Sequence, residues 1–186
     1  MVLKVIAPPT QDPVTLSEIK TYLRIGDMGD FDNLLADLII AAREAVELFQ
    51  NRALSTQTLE VSFDDWPEMP FDLPRPPLQS ITSVTYTDYT GTDHNMNFTD
   101  YFVLDSNSEP ARVTLKKYTV LPPVILQDIN AFRVRYIAGN ANISDIPKTV
   151  KQAYLLYISH RFNNPDDINI PDAFYNLLRP ERVIPV

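Results

Sequence analysis

The chain has no cysteine. Disulfides, thiolate metal sites and a cysteine nucleophile are therefore excluded, and the composition fits a reducing compartment. Glycine is scarce, at four in 186 residues. Phosphate-cradling Walker and dinucleotide loops need several glycines close together, and no such run exists. The G-x-S-x-G turn that exposes a hydrolase serine is missing as well. The two histidines, His94 and His160, have no second histidine one helical turn away, so no helical metal pair is available. No apolar run reaches about 18 residues, so no membrane-spanning helix is expected. The opening MVLKVIAPP meets proline too early to read as a secretory signal. The Asn97-Phe98-Thr99 and Asn142-Ile143-Ser144 glycosylation patterns are accordingly taken as chance. Positive charge is also in short supply: 16 Lys and Arg stand against 24 Asp and Glu, a net charge of −8. A protein that grips DNA draws most of its affinity from phosphate contacts, so a DNA-wrapping role is disfavoured.

What remains is an ordinary globular composition, 45% apolar and 22% charged, with 16 prolines. A chain of this size buries roughly 68–70% of its unfolded surface and needs no staples. Residues 1–9 suggest a strand or extended arm. A helix follows at Thr15, where Thr15 and Glu18 make a capping box and Leu16, Ile19 and Leu23 form one stripe. Gly26 is the expected C-cap. Acidic residues at Asp30 and Asp32 open a second helix, since carboxylates favour the positive end of the helix dipole. Its buried stripe is expected to run from Phe31 and Leu34 through Ile39, Ala42 and Val46 to Phe49, with Asp37, Arg43, Glu44 and Glu47 on the opposite face.

The period then shortens to two. Strands are expected around Leu59–Phe63, Phe71–Leu73, Ile81–Tyr86, Tyr101–Leu104, Ala111–Leu115 and Phe132–Tyr136, with a turn at Asp88–Thr92. Helical spacing returns after Pro147 and stops at Asn163-Asn164-Pro165; a short helix covers Pro171–Leu178, and RPERVIPV is extended. The fold class is α+β, with N- and C-terminal helices packed together and a β-rich insertion between them. The expected segments are 1–55 (arm and two helices), 56–140 (insertion) and 141–186 (C-terminal helices and tail), the first and last forming one compact domain.

Acidic groups cluster at Asp27/Asp30/Asp32, Asp64/Asp65 and Asp166/Asp167, and Asp105, Asn107 and Glu109 carry the alternate oxygen spacing of a calcium loop. Pro110 stands where that loop needs glycine, and the distal glutamate is missing. These groups are read as helix caps and turns. No catalytic residue, metal ligand or cofactor is assigned, and the chain is not expected to be an enzyme. Candidate contact residues are Arg43 and Glu47 on the alanine-rich helix, Pro74, Pro76 and Pro77 as a rigid extended approach to a strand, and Arg133 and Arg135 on one strand face.

The order of segments carries a further signal. PVTLSEIKTYLRI precedes an acid-capped helix containing AAREAVE and ending NRAL; LPRPPLQSITSVTY, YFVLD, RVRYIAG and a helix after IP follow. Over residues 13–164 this string resembles the head–tail connector (head-completion adaptor) proteins of tailed bacteriophages and prophages. The resemblance implies a structural protein forming a ring of about a dozen copies beneath the portal, which extends the DNA channel toward the tail. It implies as partners other copies of the chain, the portal protein and downstream neck or tail-completion proteins, with DNA passing without specific binding. The implied location is the virion neck, with host cytoplasm during assembly and no membrane. On this reading, charge reversal at Arg43 and Glu47 is expected to disturb assembly more than folding. The alternatives are another tail-completion or baseplate protein, or a small carboxylate-based hydrolase or ligand-binding module.

Overall fold

A computed structural model describes residues 1–26 and 29–184. The fold is α+β, and the chain divides into two compact units: residues 1–10 with 56–139, and residues 11–55 with 140–186.

The first unit is built of strands: β1 (Val2–Ala7), β2 (Gln57–Phe63), β3 (Phe71–Leu73), β4 (Leu78–Thr87), β5 (Asp93–Met96), β6 (Phe102–Asp105), β7 (Ala111–Leu115) and β8 (Phe132–Ala138). A five-stranded antiparallel sheet has the order β1-β2-β8-β4-β5, and a three-stranded one β3-β7-β6. Alternation decides the faces. Phe132, Val134, Tyr136 and Ala138 of β8 are buried, and Arg133 and Arg135 point the other way. Phe132 is the hub, with ring centroids of Phe63, Trp66, Phe71 and Phe102 at 6.1, 5.4, 6.5 and 6.0 Å. The sequence grouped the N-terminal arm with the helices. Here it pairs instead as the edge strand β1 on β2, because Leu3 and Val5 lie opposite Val61 and Leu59 and extend their apolar face. The short strand β5 and the four-residue helix α3 (Phe98–Tyr101) had no sequence signal, since Asp93–Met96 lacks alternation.

The second unit holds α1 (Leu16–Leu23), α2 (Asp32–Gln50), α4 (Lys148–Asn163) and α5 (Asp172–Leu178). The Thr15–Glu18 capping box forms, and the Thr15 backbone N–H holds the Glu18 carboxyl below its usual range. The C-cap is Arg24 in the left-handed region (φ 59°), not Gly26, because the 24 and 25 N–H groups already satisfy the Thr21 and Lys20 carbonyls. Leu35, Ala42 and Val46 of α2 pack with Val150, Ala153, Tyr154 and Ile158 of α4 and with Phe174 and Leu178 of α5. Ala42 and Ala153 are fully buried, so both helices approach closely at small side chains. The tail is not extended throughout: Arg179–Glu181 form a 3₁₀ turn. The end of α2 fastens it. Gln50 Nε2 donates to the Leu178 carbonyl, Asn51 Nδ2 to that of Val183, and Arg52 Nε to that of Glu181. Asp27, Pro185 and Val186 lie outside the described residues.

Candidate assembly surface

Three groups of residues selected from sequence turn out to work within the chain. Arg43 and Glu47 are buried, at 8% and 7% exposure, and not on an open face. The Arg43 guanidinium sits 2.7 Å from the Asp12 carboxylate, and Glu47 Oε1 accepts the Leu54 N–H at 2.8 Å. The buried arc of α2 runs through Leu35, Ile39, Ala42, Arg43, Val46, Glu47 and Gln50, so it takes in these two charged residues while Asp37 and Glu44 stay exposed. Conversely Phe31 and Leu34, assigned to the buried stripe, are exposed, as are Ile40 and Leu48.

The proline segment bends and is not an extended approach. Arg75 lies at φ 60°, in a bend that spans residues 74–76. Its carbonyls are anchors: Pro74 O accepts the Tyr136 hydroxyl at 2.6 Å, and Pro77 O accepts the Gly139 N–H at 2.8 Å. Burial pushes the Tyr136 hydroxyl well above its ordinary pKa, so it stays a donor. The segment therefore sets where β4 begins along β8.

Arg133 and Arg135 share one face of the central strand and are paired there. Arg135 reaches Glu60 on β2 at 2.7 Å, and Arg133 reaches Asp93 on β5 at 2.6 Å and the Thr87 hydroxyl at 3.1 Å. Arg135 and Glu60 are directly opposed on neighbouring strands and hold their register, whereas Arg133 reaches across β4 to Asp93. The Thr87 hydroxyl and then Arg133 hold the Asp93 carboxyl below its usual range. The β4–β5 turn is closed by Asp88, which accepts from the Thr90 hydroxyl, the Thr90 and Thr92 N–H groups and His94. Those bonds, Thr90 first, hold its carboxyl far down. His94 also stacks on Tyr86 at 4.8 Å.

The acidic clusters behave as caps and partners. Asp65 accepts from the Trp66 N–H, Asp64 from the Asn130 N–H, Asp105 from the Asn107 N–H and Asp167 from the Asn169 N–H, and Asp32 pairs with Lys20. Among the described residues no three His, Asp or Glu side chains gather in a metal-binding arrangement.

Several large apolar side chains are left uncovered. The connection from 116 to 131, between β7 and β8, exposes Tyr118 completely, Val120 at 82%, Ile125 at 74% and Ile129 at 68%. It exceeds the roughly 12–15 residues beyond which a structureless loop is usually functional. On the β4 side, β5 pairs only from Val84 onward, and the first half of β4 has no neighbour there. Beside it lies a groove of about 520 Å³, lined by Ile81, Thr82, Val84, Met96, Phe98 and Leu104. Both features were missed from sequence. The run YTVLPPVIL was a visible signal for the first: apolar, without period, and stiffened by Pro122-Pro123. The groove had no sequence signal, because it depends on where β5 stops.

The model of the phage gp6-like head-tail connector protein family matches residues 13–117, more than half of the chain. The chain belongs to that family. The match covers α1, α2 and the strands β2 to β7, and leaves out β1, β8 and the C-terminal helices. No curated protein sequence matches it. Solved structures with similar folds come from gene transfer agent (GTA) particles. A chain from the neck of an empty GTA particle computed with C6 symmetry has a TM-score of 0.83 at 20% identity, covering 100% of the connector and 97% of that chain. A chain from the neck of a native GTA particle computed with C12 symmetry gives 0.80 at 19% identity, with coverage of 100% and 97%. A chain from the virion of a native GTA particle gives 0.78 at 21% identity, again covering 100% and 97%. At these identities the likeness is one of fold. The family is that of phage head-tail connectors, and the fold is one found in chains of GTA particles.

Proposed function

We propose that this connector is a ring-forming component of a virion neck, seated beneath the portal, where it extends the DNA channel toward the tail. The observation that carries the reading is the family match over residues 13–117. The uncovered apolar side chains of unit one, with Leu34, Ile40 and Leu48 on α2, support it, because an isolated chain gains nothing by keeping them in water. Its partners are other copies of itself, the portal protein and the downstream neck or tail-completion proteins, met in the host cytoplasm as the particle is built. It performs no bond-making step, and its paired acids serve turns and caps. A repeated head-to-tail contact gives a ring when the rotation closes, and the curvature lies in the subunit.

The net charge of −8 suits a conduit, since a wall without surplus cations makes few charge-neutralising contacts with phosphate. Duplex DNA should bind more weakly than the roughly 10⁻⁴–10⁻⁶ M of ordinary non-specific binders at physiological salt. A gel-shift titration checks this; a tight, strongly salt-dependent complex would contradict it. Sedimentation of the purified chain with and without its portal protein tests the partner assignment. The expected outcome is co-sedimentation of a complex larger than the portal alone.

A further inference from the structure

The long loop and the groove are complementary, and both belong to the strand-built unit. The loop is held at both ends. The Lys116 N–H donates to the Tyr101 carbonyl, the Gln127 N–H to that of Thr87 and the Tyr89 N–H to that of Ile125. Between these anchors Pro122 and Pro123 fix their φ and cannot donate. The exposed Tyr118, Val120 and Ile125 are thus presented on a stiff arm that loses little entropy on docking. The groove beside the unpaired half of β4 offers apolar walls from Ile81, Met96, Phe98 and Leu104, and a row of backbone groups without a strand partner on that side. Charge agrees as well: exposed Lys117 begins the arm, and exposed Asp100 belongs to α3 and directly follows Thr99, which lines the groove.

A competing occupant of the groove is the free edge of a neighbour's β1, which also exposes Val2, Val5 and Ile6. Joining β1 to β4 would run one sheet through every copy. Four strand steps per copy at about 20° of twist each accumulate about 80°. That exceeds the turn between neighbours in a sixfold or twelvefold ring. A side-chain arm has no such constraint.

We infer that residues 117–125 of one copy dock in the β4–α3 groove of the next, so that this arm-in-groove contact is the repeating interface. The inference rests on the ring reading, and the test separates the two. Because the chain has no cysteine, single cysteines report without background. Thr82→Cys in the groove and Val120→Cys on the arm both replace exposed residues, so neither should disturb folding. The two full-length variants, differently tagged, are mixed, allowed to assemble and oxidised mildly. The mixed disulfide, joining position 82 of one copy to position 120 of another, should exceed either same-site disulfide by on the order of tenfold, because docking raises the effective concentration of that pair alone. Oligomers that form, by sedimentation, with no excess of the mixed bond would overturn the contact and leave the ring reading standing. A mixed bond in particles that never grow beyond dimers would keep the contact and remove the closed ring. A chain that stays monomeric and forms no mixed bond would count against both.

Discussion

Arg43→Ala should destabilise the helical unit by about 3 kcal/mol, the lower end of what removing one partner of a buried ion pair costs. The lower end applies because Asp12, the carboxylate left behind, keeps 24% side-chain exposure and can partly recover water. Arg43→Glu should do more damage, since it sets a third carboxylate among Asp12 and Glu47. The field there already reaches the Tyr154 hydroxyl, whose pKa burial raises first and Glu47 and Asp12 raise further, with Arg43 opposing them. Glu47→Ala should cost about 1–3 kcal/mol, by leaving the buried Leu54 N–H without its acceptor. The double replacement Arg43→Met with Asp12→Leu should recover most of the loss, because an apolar pair of similar volume has no desolvation cost to offset. Amide hydrogen exchange in α2 and α4 reads all four variants. On this account burial and internal partners give these residues a part in folding, against the expectation from sequence that charge reversal disturbs assembly more than folding. Wild-type protection in Arg43→Glu, with assembly lost, would restore it.

Phe132→Ala should cost the strand-built unit about 3–5 kcal/mol. Phe132 is wholly buried on the central strand and meets four other aromatic rings, from β2, the β2–β3 connection, β3 and β6. Truncation leaves a cavity that strands fixed by hydrogen bonds cannot collapse into. Phe132→Leu should cost clearly less, because much of the volume stays filled. The lone tryptophan, Trp66, stands 5.4 Å from the Phe132 ring, so its fluorescence reports directly on this cluster during denaturant unfolding. A loss below about 1 kcal/mol for Phe132→Ala would mean the two sheets share their core elsewhere.

Local chemistry made much of this fold legible. The Thr15–Glu18 box, the acidic start of α2, the alternation in β2 and β8, and the stop at Asn163-Asn164-Pro165 are each decided by neighbours within a few residues, and each element forms where those neighbours put it. Pairing over distance was not legible. Nothing in VLKVIA says that its partner is β2, because an edge strand and a free arm have the same period. Nor does helical periodicity say that the buried arc of α2 reaches Arg43 and Glu47, whose partners Asp12 and the Leu54 N–H lie outside the helix, so both were placed in solvent. Arg133 and Arg135 were assigned to one face correctly, yet their acceptors Asp93 and Glu60 come from strands far along the chain. The opposite error touched Leu34, whose apolar side chain was placed inside the core though it is about half exposed. On the proposed function this is the expected pattern, since a surface that other copies cover looks like core in the sequence.

The central claim is that this chain is a ring-forming neck component, and imaging the particle that carries it tests that most directly. Cryo-electron microscopy should place the described fold in rotationally repeated density at the junction of head and tail, around the DNA path. Finding the chain at the distal end of the tail, or as single copies outside any ring, would contradict the account.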